Sequence, residues 1–252
     1  MSRQGQNSFC GGWCARCRRP HFIDTWLARP TAYALMDFFD QHGHIDLTGN
    51  GTDGRFSLAP LFGLARGKMF GVLLCRDQDG KERVLYGFSG QMHGYWQVPG
   101  WVRPLFDVAA FTRLTEPVEQ EIKAMSRELA CLPPGSEADR RLRRKRKNRS
   151  MQLMQEIFVL YKFIDFHGQS CQLGEVFTGP GNMPTGTGDC CAPKLLAHAA
   201  AHCLAPISLA EFYYGRENSS GTRVHKQFYS SCREKCQPIL GAMLCGREQL
   251  HG

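Results

Sequence analysis

Apolar positions along the chain change period several times, and each change marks an element. Between residues 31 and 41, Tyr33, Leu35, Met36, Phe38 and Phe39 have the spacing of a short buried helix; Gly43, Gly49, Gly51 and Gly54 then mark a loop. Residues 69–75 and 84–88 are apolar runs rich in strand formers, separated by the turn sequence Asp77-Gln-Asp-Gly80, which predicts a β-hairpin. Val118, Ile122, Met125 and Leu129 then fall on one helical face, and Leu132-Pro-Pro-Gly-Ser136 stops that helix. A second helix carries Met154, Ile157 and Tyr161, so residues 116–164 form a helical hairpin inserted in the rest of the fold. A helix opening near Cys191-Ala-Pro193 runs through Leu195, Leu196, Ala199 and Ala200 to about His202. Residues 207–214 read as a buried strand, and residues 237–244 as a last helix.

The resulting fold class is α/β (α+β): a mixed sheet with flanking helices and an inserted helical hairpin. An irregular segment with a cysteine cluster (1–60) precedes the domain proper (61–252). The 252 residues and 42% hydrophobic content suffice for a real core and exclude wholesale disorder. No apolar run reaches the roughly 18 residues of a membrane span, and MSRQGQNSF at the start lacks the apolar stretch of a secretory signal. A cytoplasmic location is the expectation.

Charge is localised. The net charge is +8, and residues 140–149 hold eight cations (Arg140, Arg141, Arg143, Arg144, Lys145, Arg146, Lys147 and Arg149) and no acid. This segment therefore supplies the whole excess. With only Leu142 to bury, it should project into solvent, where it can grip a phosphate backbone, serve as an import-like signal, or simply stay solvated. Tyr213, Tyr214, Tyr229 and Trp101 are weaker candidates for stacking on unpaired bases. The glycine-rich residues 178–188 lack the Gly-Lys-Ser/Thr ending of a phosphate-binding loop and read as a lead-in to the next helix.

Twelve cysteines without an export signal point to reduced thiols, some of them metal ligands. Cys75, Cys131 and Cys171 stand alone and read as packing residues. Asp189-Cys190-Cys191 opens one helix and Cys232-x-x-x-Cys236 precedes another, so Cys190, Cys191, Cys232 and Cys236 are candidate zinc ligands. Adjacent residues at a helix start point about 100° apart, so one of Cys190 and Cys191 is expected to face the ion. The alternative is a set of buried cysteines filling a small core. Cys10, Cys14 and Cys17, with His21 four residues on, form a second candidate cluster, a small zinc knuckle or an exposed arm. Their spacing matches radical S-adenosylmethionine enzymes, but no repeated strand–helix units follow. His42, His44, His93, His198, His202 and His225 read as core or surface residues.

The order helix, β-hairpin, insertion, Cys-opened helix, strand and second Cys-bearing helix resembles the cytidine-deaminase fold. That resemblance implies Cys190 as first ligand and Cys232 and Cys236 as the other two, with a proton-shuttling glutamate on the first metal helix. Here the glutamate position falls on Ala192, and the second cysteine pair has three intervening residues rather than two. Asp189 and Glu211 are the remaining candidates for the proton carrier.

The strings GKMFGVLLC (from Gly67), LYGFSG (from Leu85), VRPLFD (from Val102), GTGDCCAPKLL (from Gly186), LAEFYYG (from Leu209) and FYSSCREKCQPIL (from Phe228) resemble the N-terminal extension of long RluA-like pseudouridine synthases. That resemblance implies an accessory protein of RNA modification: binding of ribosomal or transfer RNA, a bound metal, and a separate synthase chain as partner. The Arg-Leu-Asp string of the synthase active site is absent, so uridine isomerisation is not expected of this polypeptide. The readings carried forward are an RNA-binding accessory protein, a zinc-dependent deaminase of nucleobases or nucleosides, and a protein-interaction domain.

Overall fold

A computed structural model describes residues 9–49 and 53–251; Gly51 and the start of the chain through Ser8 lie outside the described residues. A hairpin of β1 (Cys10–Cys14) and β2 (Arg19–Ile23) opens the fold, followed by helix α1 (Arg29–His42). Strands β3 (Lys68–Arg76) and β4 (Glu82–Phe88) form the expected hairpin, with Gly80 at φ +79° donating its N–H to Asp77 O. The inserted hairpin is α2 (Val108–Cys131) and α3 (Glu137–Leu160). A small hairpin of β5 (Lys162–Ile164) and β6 (Ser170–Gln172) leads into the short helix α4 (Leu173–Val176). Helix α5 (Cys191–Ala201), strand β7 (Ala205–Tyr214), strand β8 (Phe228–Tyr229) and helix α6 (Gln237–Met243) complete it.

Sequence order becomes the spatial order β4-β3-β7-β8 in the main sheet, and every pairing is antiparallel, which corrects the expected mixed sheet. An isolated parallel bridge joins Asp24 to Ser208. Strand alternation divides the core in two. Phe70, Val72, Ala210, Phe212 and Tyr214 face α1, packing with Leu35, Met36, Phe39 and Trp101. Leu73, Cys75 and Leu209 face the other way, onto Leu195, Leu196 and Ala199 of α5 and Ile239, Leu240 and Met243 of α6. Glu211, next to Ala210 and Phe212 on β7, thereby points towards α5.

Three expectations need correction. Residues 1–60, where described, are not irregular outside the expected helix, which forms as α1: β1–β2 is a packed hairpin, and its five-residue strands carry too little alternation to announce themselves. Helix α2 begins at Val108, ahead of the expected 116, because Asp107 caps it by accepting from Ala110 N; Pro117 is accommodated inside it on an exposed face. The second helix stops at Leu160, where the chain turns into β5.

Helix α5 packs directly on the backbone of the sheet where Gly71 and Gly87 are cross-strand partners beneath it. A Cβ at Gly71 would lie 2.7 Å from Cys191 Cβ, and one at Gly87 would lie 3.0 Å from Leu195 Cγ. Gly71→Val should therefore lift α5 and lower stability by about 1–3 kcal/mol, seen as a lower urea midpoint at unchanged m-value. No helix among the described residues is long and apolar enough to cross a membrane.

Candidate metal centre

Two chain stretches some forty residues apart meet where α5 and α6 begin. Cys190 occupies the position before α5 in extended backbone, so its side chain turns back across the helix start. Cys232 and Cys236 are linked by a turn in which Cys232 O accepts from the N–H groups of Cys236 and Gln237. The sulfurs of Cys190, Cys232 and Cys236 all lie within 4.8 Å of one another, with Cys232 and Cys236 Sγ 3.4 Å apart. Hydrogen bonds from Cys190 and Cys236 hold the Cys232 thiol well below its usual pKa, while sharing with Cys232 pushes the Cys190 thiol up. Three sulfurs competing for protons at one point form a donor set suited to a thiophilic metal ion. A three-ligand set leaves a tetrahedral ion one open position.

Of the two adjacent cysteines at α5, the structure separates the roles. Cys191 is fully buried, and its Sγ donates to Met69 O on β3 at 3.3 Å. The expectation that includes Cys191 among the ligands is corrected here: one residue further into the helix, its side chain is turned onto the sheet.

Glu211 and Asp189 also separate. Glu211 is 6% exposed, and its Oε1 accepts from Ala192 N at 3.1 Å. Burial raises its carboxyl to about pH 7, against the lowering effect of the Ala192 N–H. The strand thus delivers a carboxyl to the backbone of Ala192, the helix position where the deaminase resemblance places a glutamate. Asp189 instead accepts from Tyr161 OH at 2.7 Å, and burial raises its carboxyl too.

The centre opens into a cavity of about 1280 Å³ whose walls include Cys190, Cys232, Cys236 and Glu211 but not Asp189. Its other walls are aromatic and cationic. Tyr33, Phe228 and Tyr229 line it, with Arg223 4.2 Å from the Tyr229 ring centroid and Arg29 5.0 Å from that of Phe228. Lys226, Arg233 and Lys235 add positive charge, and Glu234 a negative one.

Tyr229 is the member of the four stacking candidates that reaches this cavity. Tyr213 OH donates to Arg216 O, Tyr214 OH to Asp40, and Trp101 Nε1 to Ile45 O, all from buried rings that serve the fold. His198 and His202 stack on each other at 4.0 Å near the far end of α5.

The N-terminal cluster assembles with one change of membership. Cys14, Cys17 and His21 come together, but Cys10 does not join them: it is buried by the larger core beside Ser231. Cys10 and Cys14 sit at opposite ends of β1, which is the physical reason for the correction. Cys245 takes the fourth place, a residue that local spacing could not assign because it is 228 positions from Cys17.

The basic run lies on α3, as expected, but is not uniformly free. Arg143 pairs with Asp139, Arg149 with Glu121 and Glu156, and Arg146 donates to Ser126. Arg140, Arg141, Arg144, Lys145 and Lys147 are exposed and, among the described residues, make no ion pair. No family model, curated protein or solved structure matches the chain.

Proposed function

We propose that this chain is a zinc-dependent deaminase acting on a nucleobase carried by an RNA strand, with Cys190, Cys232 and Cys236 as ligands and Glu211 as proton carrier. The observation that carries the reading is the buried Glu211 carboxyl, held on Ala192 N and opening to the same cavity as the three sulfurs. Zinc bound there would supply a polarised water for attack on the amino-bearing ring carbon of cytosine or adenine. Glu211 would take the two protons of the water in turn, passing the first to the ring nitrogen and the second to the departing amine, while the oxygen stays on the ring carbon. The net change is addition of water and loss of ammonia. A carboxyl poised near neutrality suits both directions of transfer.

The walls of the cavity support the choice of substrate. Tyr33, Phe228 and Tyr229 offer faces on which a base can stack, and Arg29, Arg223 and Arg233 favour a flanking phosphate, whereas Lys226 is paired with Asp40. The exposed cations of α3 supply a longer-range, sequence-independent hold on the strand. This arrangement also suits the accessory role implied by the likeness to pseudouridine-synthase extensions, in which a separate synthase chain would be the partner; RNA binding is common to both readings, and ammonia release divides them.

The test uses the full-length chain, with cytidine, adenosine and structured ribosomal and transfer RNA as substrates. Ammonia release is expected from at least one of them. Cys232→Ser should abolish that release and remove one zinc ion per chain. Folded, zinc-loaded protein that binds RNA and releases no ammonia would establish the accessory role instead.

A further inference from the structure

We propose that Cys14, Cys17, His21 and Cys245 hold a second zinc ion in a closed four-ligand site that clamps the N-terminal hairpin to α6 and takes no part in chemistry. This inference stands apart from the nucleobase reading, because it concerns different residues and a different role.

The geometry is that of a coordination sphere drawn from two chain ends. The four ligand atoms lie within 4.8 Å of one another, with Cys17 Sγ 2.9 Å from His21 Nε2 and 3.8 Å from Cys245 Sγ. Tetrahedral zinc with its usual bond lengths has sulfur–sulfur edges of about 3.8 Å and sulfur–nitrogen edges of about 3.5 Å. The first edge is met as it stands; the second requires Cys17 and His21 to part by roughly half an ångström. Cys14, His21 and Cys245 are each at most 4% exposed, and a Cys₃His set fills all four positions. No position remains for water, in contrast to the three-thiol centre.

The surroundings complete the site. His21 turns Nε2 to the sulfurs and Nδ1 towards Glu248, 3.8 Å away, the orientation in which a carboxylate steadies a ligating imidazole. Three thiolates and a divalent ion leave one net negative charge, and Arg16 lies against the Cys245 sulfur while pairing with Asp165 at 2.6 Å.

The fold shows what such an ion would hold. β1 crosses α6 backbone to backbone: a Cβ on Gly12 would fall 1.9 Å from Gln237 O, and one on Gly241 would fall 2.2 Å from the carbonyl carbon of Trp13. No side chain is interposed at these crossings, and beside them Cys10 and Ile23 of the hairpin share one buried core with Ile239, Leu240 and Met243 of α6. Helix α6 follows directly on Cys236, so clamping it fixes two of the three sulfurs of the first centre.

Zinc content of the full-length chain, by native mass spectrometry with elemental analysis, tests the proposal. Two ions per chain are expected. Cys245→Ser should lose one and keep the other, whereas Cys232→Ser should show the reverse dependence. Should Cys245→Ser fail to fold, His21→Cys decides: it should retain both ions, and its cobalt(II)-loaded form should show stronger sulfur-to-metal absorption than the parent. Zinc content that His21→Cys leaves at two with unchanged cobalt absorption would overturn the proposal. So would a Cys17–Cys245 disulfide in protein purified without reductant, or a single ion lost entirely with Cys232→Ser. One ion that survives Cys232→Ser and disappears in Cys245→Ser would uphold the clamp and remove the metal from the proposed deaminase.

Discussion

Glu211→Gln is expected to lower ammonia release about 10²–10⁴-fold, the usual worth of a positioned general acid–base group, while zinc content and the urea midpoint stay close to the parent's. The amide oxygen of glutamine can still accept from Ala192 N, so the hydrogen bond that orients the side chain survives. What is lost is the capacity to take and return a proton. Asp189→Asn supplies the contrast. Asp189 is bound to Tyr161 and does not line the cavity, so its replacement should leave turnover within a few-fold of the parent. Equal losses in the two variants would remove Glu211 from the role of proton carrier.

The second large effect is expected on RNA affinity. Replacing Arg141, Arg144, Lys145 and Lys147 together by alanine removes four exposed cations without an ion pair to break. If each contacts a phosphate, the slope of log affinity against log salt should flatten by about 3, and binding at 0.1 M salt should weaken roughly a thousandfold. Arg149→Ala is the control. Its guanidinium is held by Glu121 and Glu156, so its loss should change the slope little. Filter binding of a structured RNA across a salt series measures both. A slope unchanged by the fourfold replacement would show that α3 does not touch the strand.

How much of this was legible beforehand depends on the range of the interactions concerned. The β3–β4 hairpin, α5, β7 and α6 follow from local periodicity and turn chemistry, and each forms close to the expected bounds. Helix α2 starts earlier than expected because Val108, Phe111 and Leu114 extend the stripe of Val118 back to the cap at Asp107, across the polar stretch Thr115-Glu116-Pro117 that reads as a boundary. The β1–β2 hairpin was invisible because CGGWC and RPHFI are stabilised by α6 and by one another, not by alternation of their own.

The candidate centres divide along the same line. That two cysteine-bearing segments would open two helices and that eight cations would fall on one helix were determined by the sequence alone, since each depends on residues close together in the chain. Which cysteines meet was decided by the tertiary structure: Cys191 turns onto Met69, Cys10 sinks into the core, and Cys245 arrives from the far end to join Cys17. So was the carboxyl. Only the pairing of β7 beside β3 under α5 brings Glu211 to Ala192, because strand register and helix packing, which act between residues distant in sequence, set where a side chain points.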